Sequence, residues 1–339
     1  LILISPNIDN LKNINMIQIN LFTAKSHNYR FEYTKFCVEQ LTKIKKENLD
    51  NIILHIYADQ NQTQFWIEEL NKSKYISLKN KIHCMPNDSY LPKVIIAQQT
   101  ECEFSIKWDD DIFINSSAWD FLIENINILN INPDISIIAP ILSNGMPSVD
   151  LFVKDFLTED EIKKAHNIFL KDGIKNHINI WNCDFKKVQS YLDSAKEWNA
   201  DEYWDVVRKT DSTSGMGLPS YMPIAKGVHP ARFSYDYNKF ILDKISDNKN
   251  WITSKREYRI ETHPTLYFCN NIFATKTSFW KESQKLFQDG WDEGQLTLLN
   301  QITNKKIAYI RNVCGIHMAY GYTEKQRELE TYFISKFLS

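Results

Sequence analysis

Glycine is scarce in this chain, with nine in 339 residues, and none of them falls in a Gly-x-Gly-x-x-Gly or Gly-x-x-x-x-Gly-Lys pattern. Any nucleotide held here must therefore have its phosphates bound by something other than a glycine-rich turn. Charge of one sign is also lacking. Forty basic residues against 42 acidic ones leave a formal charge of −2, which argues against a nucleic-acid binder relying on clustered Lys and Arg. No apolar run approaches the roughly 20 residues that a membrane-spanning helix needs. The opening run Leu1-Ile2-Leu3-Ile4 is stopped by Pro6 and Asn7 with no basic segment ahead of it, so it does not read as a secretory signal. An initiator Met is missing, which reads as trimming or as a cut from a longer polypeptide. The six cysteines (Cys37, Cys84, Cys102, Cys183, Cys269 and Cys314) contain no Cys-x-x-Cys pair, so a zinc knuckle or redox pair has little support. Their strand-like surroundings instead predict small buried thiols in a reducing, cytoplasmic compartment.

What is present is enough for a full core: hydrophobic residues make up 43% of the chain and aromatics 13%, a globular composition. Up to about residue 150 strand-like and helix-like segments alternate. Strands are expected at 16–22, 52–57, 82–85, 104–108 and 135–141, with helices at 33–41, 65–70, 91–99 and 119–129. A β-α-β order of this kind predicts an α/β fold with a mainly parallel sheet flanked by helices. Between 151 and 262 the pattern changes to charged helical stretches (158–170 and 185–197) mixed with Trp181, Trp198, Trp204 and tyrosines, and a loop at 212–219. That block reads as a helical or irregular insertion, either capping the sheet on its acceptor side or serving as scaffold. From 263 the strand-helix pattern returns, with strands at 266–274 and 306–311 and helices at 278–287 and 293–301, in a part that completes the sheet. No repeat or low-complexity linker interrupts it, so one composite domain is expected.

The acidic run Asp109-Asp110-Asp111 ends the apolar segment at 104–108. Ligands of parallel sheets collect beyond the carboxyl ends of strands, which is where Asp59 and Asp109 to Asp111 fall. Three adjacent carboxylates repel one another when dry, yet they suit Mg²⁺ or Mn²⁺ as hard oxygen ligands. Alternation along an extended chain would turn Asp109 and Asp111 to one side and Asp110 to the other. The competing reading is a solvated turn. Ile106, Trp108, Ile112, Phe113 and Ile114 around the run favour burial, and buried charges need a partner or a metal.

The segment from Glu103 to Phe113 resembles the Asp-x-Asp element of GT-A fold glycosyltransferases, in particular inverting enzymes of the family-2 type. The resemblance implies a Rossmann-like GT-A sheet, a nucleotide-sugar donor (a UDP-sugar above all) and a divalent Mn²⁺ or Mg²⁺. It implies donor contacts from Thr23, Asp59, Lys93, Asp109 and Asp110. Asp59 is similar to the acid that reads a uracil ring, and Lys93 to a basic residue that contacts the nucleotide. Metal ligation falls to Asp111, with Asp109 and His317. Read on their own, Lys93 is equally a surface helix lysine and Thr23 a helix cap.

Gly290-Trp291-Asp292-Glu293-Gly294-Gln295-Leu296 resembles the acidic pair that carries the catalytic base in inverting enzymes, with Glu293 as base and Asp292 next. The order there is usually Glu-Asp, so this chain departs from the pattern, and a plain helix amino-terminal pair is the other reading. His317 follows the last strand, where an imidazole suits Mn²⁺; a structural histidine is the alternative. Tyr320 and Tyr322 would lie on a loop over the diphosphate. Trp204, Tyr221, Tyr235 and Tyr237 are candidates to stack on sugars, and Arg232, His229 and His263 to meet the acceptor. The resemblance implies a glycan, lipid-linked or protein acceptor, with peripheral membrane association left open. A sugar nucleotidyltransferase, an Asp-x-Asp phosphohydrolase and a non-catalytic sugar-binding module are the rival readings.

Overall fold

The computed structural model describes residues 16–23, 30–86, 90–144, 148–168, 190, 234–247, 260–263, 271–286, 292–318 and 326–338. These divide into two compact units. The first contains the described residues up to Pro140, then 260–263 and 271–315; the second contains those between 141 and 247 and those from 316 onward. The expected elements at 185–197 (all but Ser190) and 212–219 lie outside the described residues, as do Trp181, Trp198, Trp204, Tyr221, His229, Arg232, Tyr320 and Tyr322.

In chain order the elements are β1 (Ile17–Phe22), α1 (Phe31–Leu41), α2 (Lys46–Asp50), β2 (Ile52–Asp59), α3 (Gln60–Leu70), β3 (Asn80–Met85), α4 (Tyr90–Ala97), β4 (Phe104–Asp109), β5 (Ile112–Phe113), α5 (Ser116–Asn125), α6 (Ile128–Ile131) and β6 (Ile135–Leu142). They continue with α7 (Ser148–Phe156), α8 (Glu159–Ile168), α9 (Tyr235–Asp247), β7 (Ile260–His263), β8 (Ile272–Lys276), α10 (Thr277–Gln284), α11 (Asp292–Ile302), β9 (Lys306–His317) and α12 (Gln326–Leu338). The described strands form one sheet in the order β3-β2-β1-β4-β8-β6-β9-β5, with β7 paired to β9. The α/β architecture expected from the sequence is present. β3, β2, β1 and β4 run parallel, whereas β8 is antiparallel to both β4 and β6. The helix expected at 119–129 is two helices, α5 and α6.

Period-two alternation gives the parallel strands two different faces. One is apolar: Ile17, Ile19 and Leu21 of β1 align with Ile52, Leu54 and Ile56 of β2 and with Phe104, Ile106 and Trp108 of β4, and all nine are buried. Trp108 meets Trp119 of α5 edge-on at 5.1 Å, so this face forms the core beneath α5. Burying those side chains contributes about 1.5–3 kcal/mol each for the aliphatic ones. The other face is polar: Gln18 and Asn20 align with Ser105 and Lys107, and Asn20 with His55. Their groups are satisfied inside the protein. The Gln18 amide donates to Asn20 Oδ1 at 2.5 Å, Tyr57 Oη donates to the same oxygen at 3.2 Å, and the Asn20 amide reaches the Ile106 carbonyl at 3.3 Å.

Two helices cover this polar face. Phe22 packs on Tyr90 of α4 at 5.5 Å, and the Gln18 amide donates to the Ala97 carbonyl at the other end of α4. Phe273 meets Trp280 of α10 at 5.7 Å, and Ser105 Oγ lies 2.6 Å from Thr277 Oγ1. Toward the edge strand β3, His83 stacks on Tyr57 at 4.5 Å and Tyr57 stacks on Phe22 at 5.2 Å. His83 Nε2 sits 3.0 Å from His55 Nδ1. Desolvation, reinforced by His83 and Lys81, pushes His55 down to about 4; burial and Lys81 also lower His83.

The second unit contains α7, α8, α9, α12 and the chain at 141–144 and 316–318. Buried Asn144 donates to Asn238 Oδ1 at 2.9 Å and to the His317 carbonyl at 2.8 Å. Lys244 pairs with Glu161, and the Tyr332 hydroxyl donates to Asp243. The four described cysteines are all free thiols, but only Cys37 and Cys314 are buried. Cys84 is exposed because β3 is an edge strand, and Cys102 is half-buried in the loop before β4, so burial of every thiol does not hold.

Candidate functional site

The carboxyl ends of β1, β2 and β4 lie side by side in parallel register, with Phe22 opposite both Tyr57 and Asp109. Six of the residues singled out in the sequence gather there: Thr23, Asp59, Lys93 and Asp109 to Asp111. Thr23 leaves β1 by bonding back to β2: its amide and its hydroxyl both donate to the Tyr57 carbonyl at 3.1 Å. Lys93 of α4 is 3% exposed, and its ammonium donates to the Thr23 carbonyl at 2.7 Å. It is therefore no surface lysine, and it ties α4 to the end of β1.

Asp59 ends β2 and is the amino-terminal cap of α3, with Oδ1 accepting from the Gln62 amide at 2.9 Å. The residue is 4% exposed, and Oδ2 has no hydrogen-bond partner among the described residues. One oxygen thus serves the helix, while the other remains to accept from a ligand. The sequence reading missed this capping role, although an Asp directly before a helical segment is its ordinary signal.

The three aspartates differ in their surroundings. Asp109 is the last residue of β4, and its carboxylate takes a 2.9 Å ion pair from Lys107 and a 3.3 Å hydrogen bond from the Asn271 amide. Its backbone amide donates to the Asn271 carbonyl at 2.9 Å. Lys107 is 1% exposed and its ammonium also faces the Tyr90 ring at 5.4 Å. Asp110 carries the β1 ladder one step further, its amide donating to the Phe22 carbonyl at 3.2 Å, and its carboxylate pairs with Arg30 at 3.2 Å. Asp111 is buried, at 9% exposure. Residues 110 and 111 form a turn between β4 and β5, so the strand alternation expected across the whole run stops at Asp109. The solvated-turn reading fails on burial.

Two site cations escaped the sequence reading. Lys107 could have been found: it stands two residues before Asp109 in the same strand, and period two puts both on one face. Arg30 had no local signal, because its partner lies 80 residues away. Among the described residues no three His, Cys, Asp or Glu side chains gather as a metal-binding group. A divalent ion at these residues would have to be shared between one or two carboxylates and a ligand's own phosphates, which is how Mg²⁺ is usually held beside nucleotides.

Asp292 and Glu293 begin α11, in the first unit; only their backbone is described. His317 ends β9 in the second unit and is fully buried, with its amide donating to Ser143 Oγ at 3.3 Å. Tyr237, a candidate sugar-stacking ring, is fully buried, and its hydroxyl donates to the Ser143 carbonyl at 2.7 Å. Tyr235 is half-buried, and His263 lies on β7.

No protein-family model matches the chain, and no curated protein matches it. Among solved structures it is similar to residues 1–349 of S. aureus TarS in complex with UDP-GlcNAc: 16% identity, TM-score 0.28, over 38% of this chain and 34% of that one. It is also similar to GalNAc-T7 with UDP, GalNAc and Mn²⁺ (10%, 0.44, 90% and 44%). A third likeness is to 4-diphosphocytidyl-2C-methyl-D-erythritol synthase of Anaerococcus prevotii (10%, 0.42, 95% and 100%). The chain spans about a third of the TarS chain and under half of the GalNAc-T7 chain. Likeness at these values says nothing of chemistry, which rests on the chain's own residues.

Proposed function

We propose that this chain is a metal-dependent glycosyltransferase that moves a sugar from a nucleotide-sugar donor, a UDP-sugar above all, to a hydroxyl acceptor with inversion. The observation that supports it is the gathering of Thr23, Lys93, Asp59 and the aspartate run at three adjacent strand ends. In this reading Asp59 Oδ2 accepts from the N–H of the base, while Thr23 and Lys93 shape the nucleoside side of the pocket. Asp109 and Asp110 position the ribose and phosphates; the cations bound to them keep both carboxylates fixed. Asp111, assisted by Asp109, holds a Mn²⁺ or Mg²⁺ ion. When bound, that ion supplies positive charge against the leaving diphosphate. Glu293, with Asp292 as the alternative, takes the acceptor hydroxyl's proton.

The test is donor hydrolysis in the presence of Mn²⁺ across a panel of nucleotide sugars. Wild-type protein should release UDP slowly, and Asp111→Asn should lose this by about 10²-fold or more while its circular dichroism stays unchanged. Full activity in the Asp111 variant would remove it as the metal ligand. Pyrophosphate instead of UDP would move the reading to nucleotidyl transfer, and silence across the panel would reduce it to sugar binding.

A further inference from the structure

A second cleft lies away from the aspartates, between α4 and α10 on the polar side of the sheet. It is an open cleft of about 700 Å³. Leu91 and Ile95, one turn apart on α4, form its apolar wall; Lys281, Gln284 and Lys285 form the other. The two lysines are four positions apart on one helix face, an arrangement that like charge disfavours. Neither forms an ion pair among the described residues. The carboxyl end of a helix favours cations, which explains why lysines sit there but not why both face this cleft.

Gln98 also lines the cleft. It is fully buried, and neither its amide nitrogen nor its oxygen has a hydrogen-bond partner among the described residues. A buried amide left without partners costs stability, so this one calls for a complement. The complement should accept from Nε2, beside two ammonium groups and an aliphatic wall. A phosphate monoester fits: its ionised oxygens accept from Nε2 and from both ammonium groups, and an alkyl body covers Leu91 and Ile95. We propose that this cleft binds an amphiphilic phosphate monoester. α4 also carries Lys93, so occupancy would bear on the end of β1. The binding itself does not depend on the donor-site reading.

Calorimetry on the full chain with hexyl phosphate, inorganic phosphate and hexanol tests it. Hexyl phosphate should bind at one saturable site, about tenfold tighter than either part alone. The exposed double substitution Lys281→Gln/Lys285→Gln should weaken it by about tenfold with the melting temperature unchanged, and Gln98→Leu should weaken it as well. No binding of hexyl phosphate, equal binding of hexanol, or full affinity in the double lysine variant would overturn the proposal. If Gln98→Leu fails to fold, the lysine variant alone decides. Asp111→Asn should bind hexyl phosphate like wild type, which keeps this outcome separate from that of the donor site.

Discussion

Replacing Arg30 with Met should destabilise the first unit severely, even though Arg30 belongs to no recognised motif. Arg30 and Asp110 pair at 3.2 Å with side chains only 7% and 8% exposed. At an effective dielectric near 20, attraction at that distance is roughly 5 kcal/mol, and the cost of drying both charges offsets much of it. Removing one partner keeps the drying cost and loses the attraction, so Arg30→Met should cost about 3–5 kcal/mol. Asp110→Asn should cost somewhat less, since the amide still hydrogen-bonds. The double variant should recover roughly 1–3 kcal/mol relative to the sum of the single ones. Urea denaturation followed by tryptophan fluorescence measures this; with a slope near 3 kcal/mol/M, Arg30→Met lowers the midpoint by about 1–1.7 M. Single losses under about 1 kcal/mol with no coupling would mean the pair behaves as a surface ion pair. The placement of Asp110 by Arg30 would then be wrong.

Two further predictions concern neighbouring groups. Asp59→Asn should keep the helix cap and cost only a few tenths of a kcal/mol, whereas Asp59→Ala should cost about 1 kcal/mol. If Oδ2 reads a base, both variants lose UDP affinity in calorimetry; retention of UDP binding by Asp59→Asn would confine Asp59 to capping. The His55–His83 pair sets a pH dependence. Both imidazoles are held neutral by burial, so protons bind the unfolded chain first as pH falls through about 6.5, and stability drops until His55 itself titrates near 4. Urea midpoints between pH 7 and 4 should fall more steeply for wild type than for His55→Gln/His83→Gln; parallel profiles would remove the pair as the cause.

The parallel half of the fold was legible because its strands are short apolar runs separated by helical spacing, as at 16–22 and 104–108. The site was legible to the extent that its residues end those strands: Thr23, Asp59 and Asp109 each close an apolar run. What sequence could not give was pairing over distance. Arg30 meets Asp110, and β8 joins β4, through contacts that leave no local pattern. Lys93 could not be told from a surface lysine until its ammonium was seen against the Thr23 carbonyl. Asp59's capping role was concealed because the same carboxylate also suited ligand binding.

The insertion of β8 between β4 and β6 bears on how the chain is made. Asn271, which touches Asp109 through both backbone and side chain, comes 162 residues later in synthesis. Until it arrives, β4 is an open edge with unpaired amides, a template for pairing with other chains. The aspartates cannot reach their final setting on a ribosome that has not passed the middle block. A chain stopped near residue 250 would keep the Thr23–Tyr57 and Asp59–Gln62 contacts but present a sticky strand, and aggregation is its expected fate.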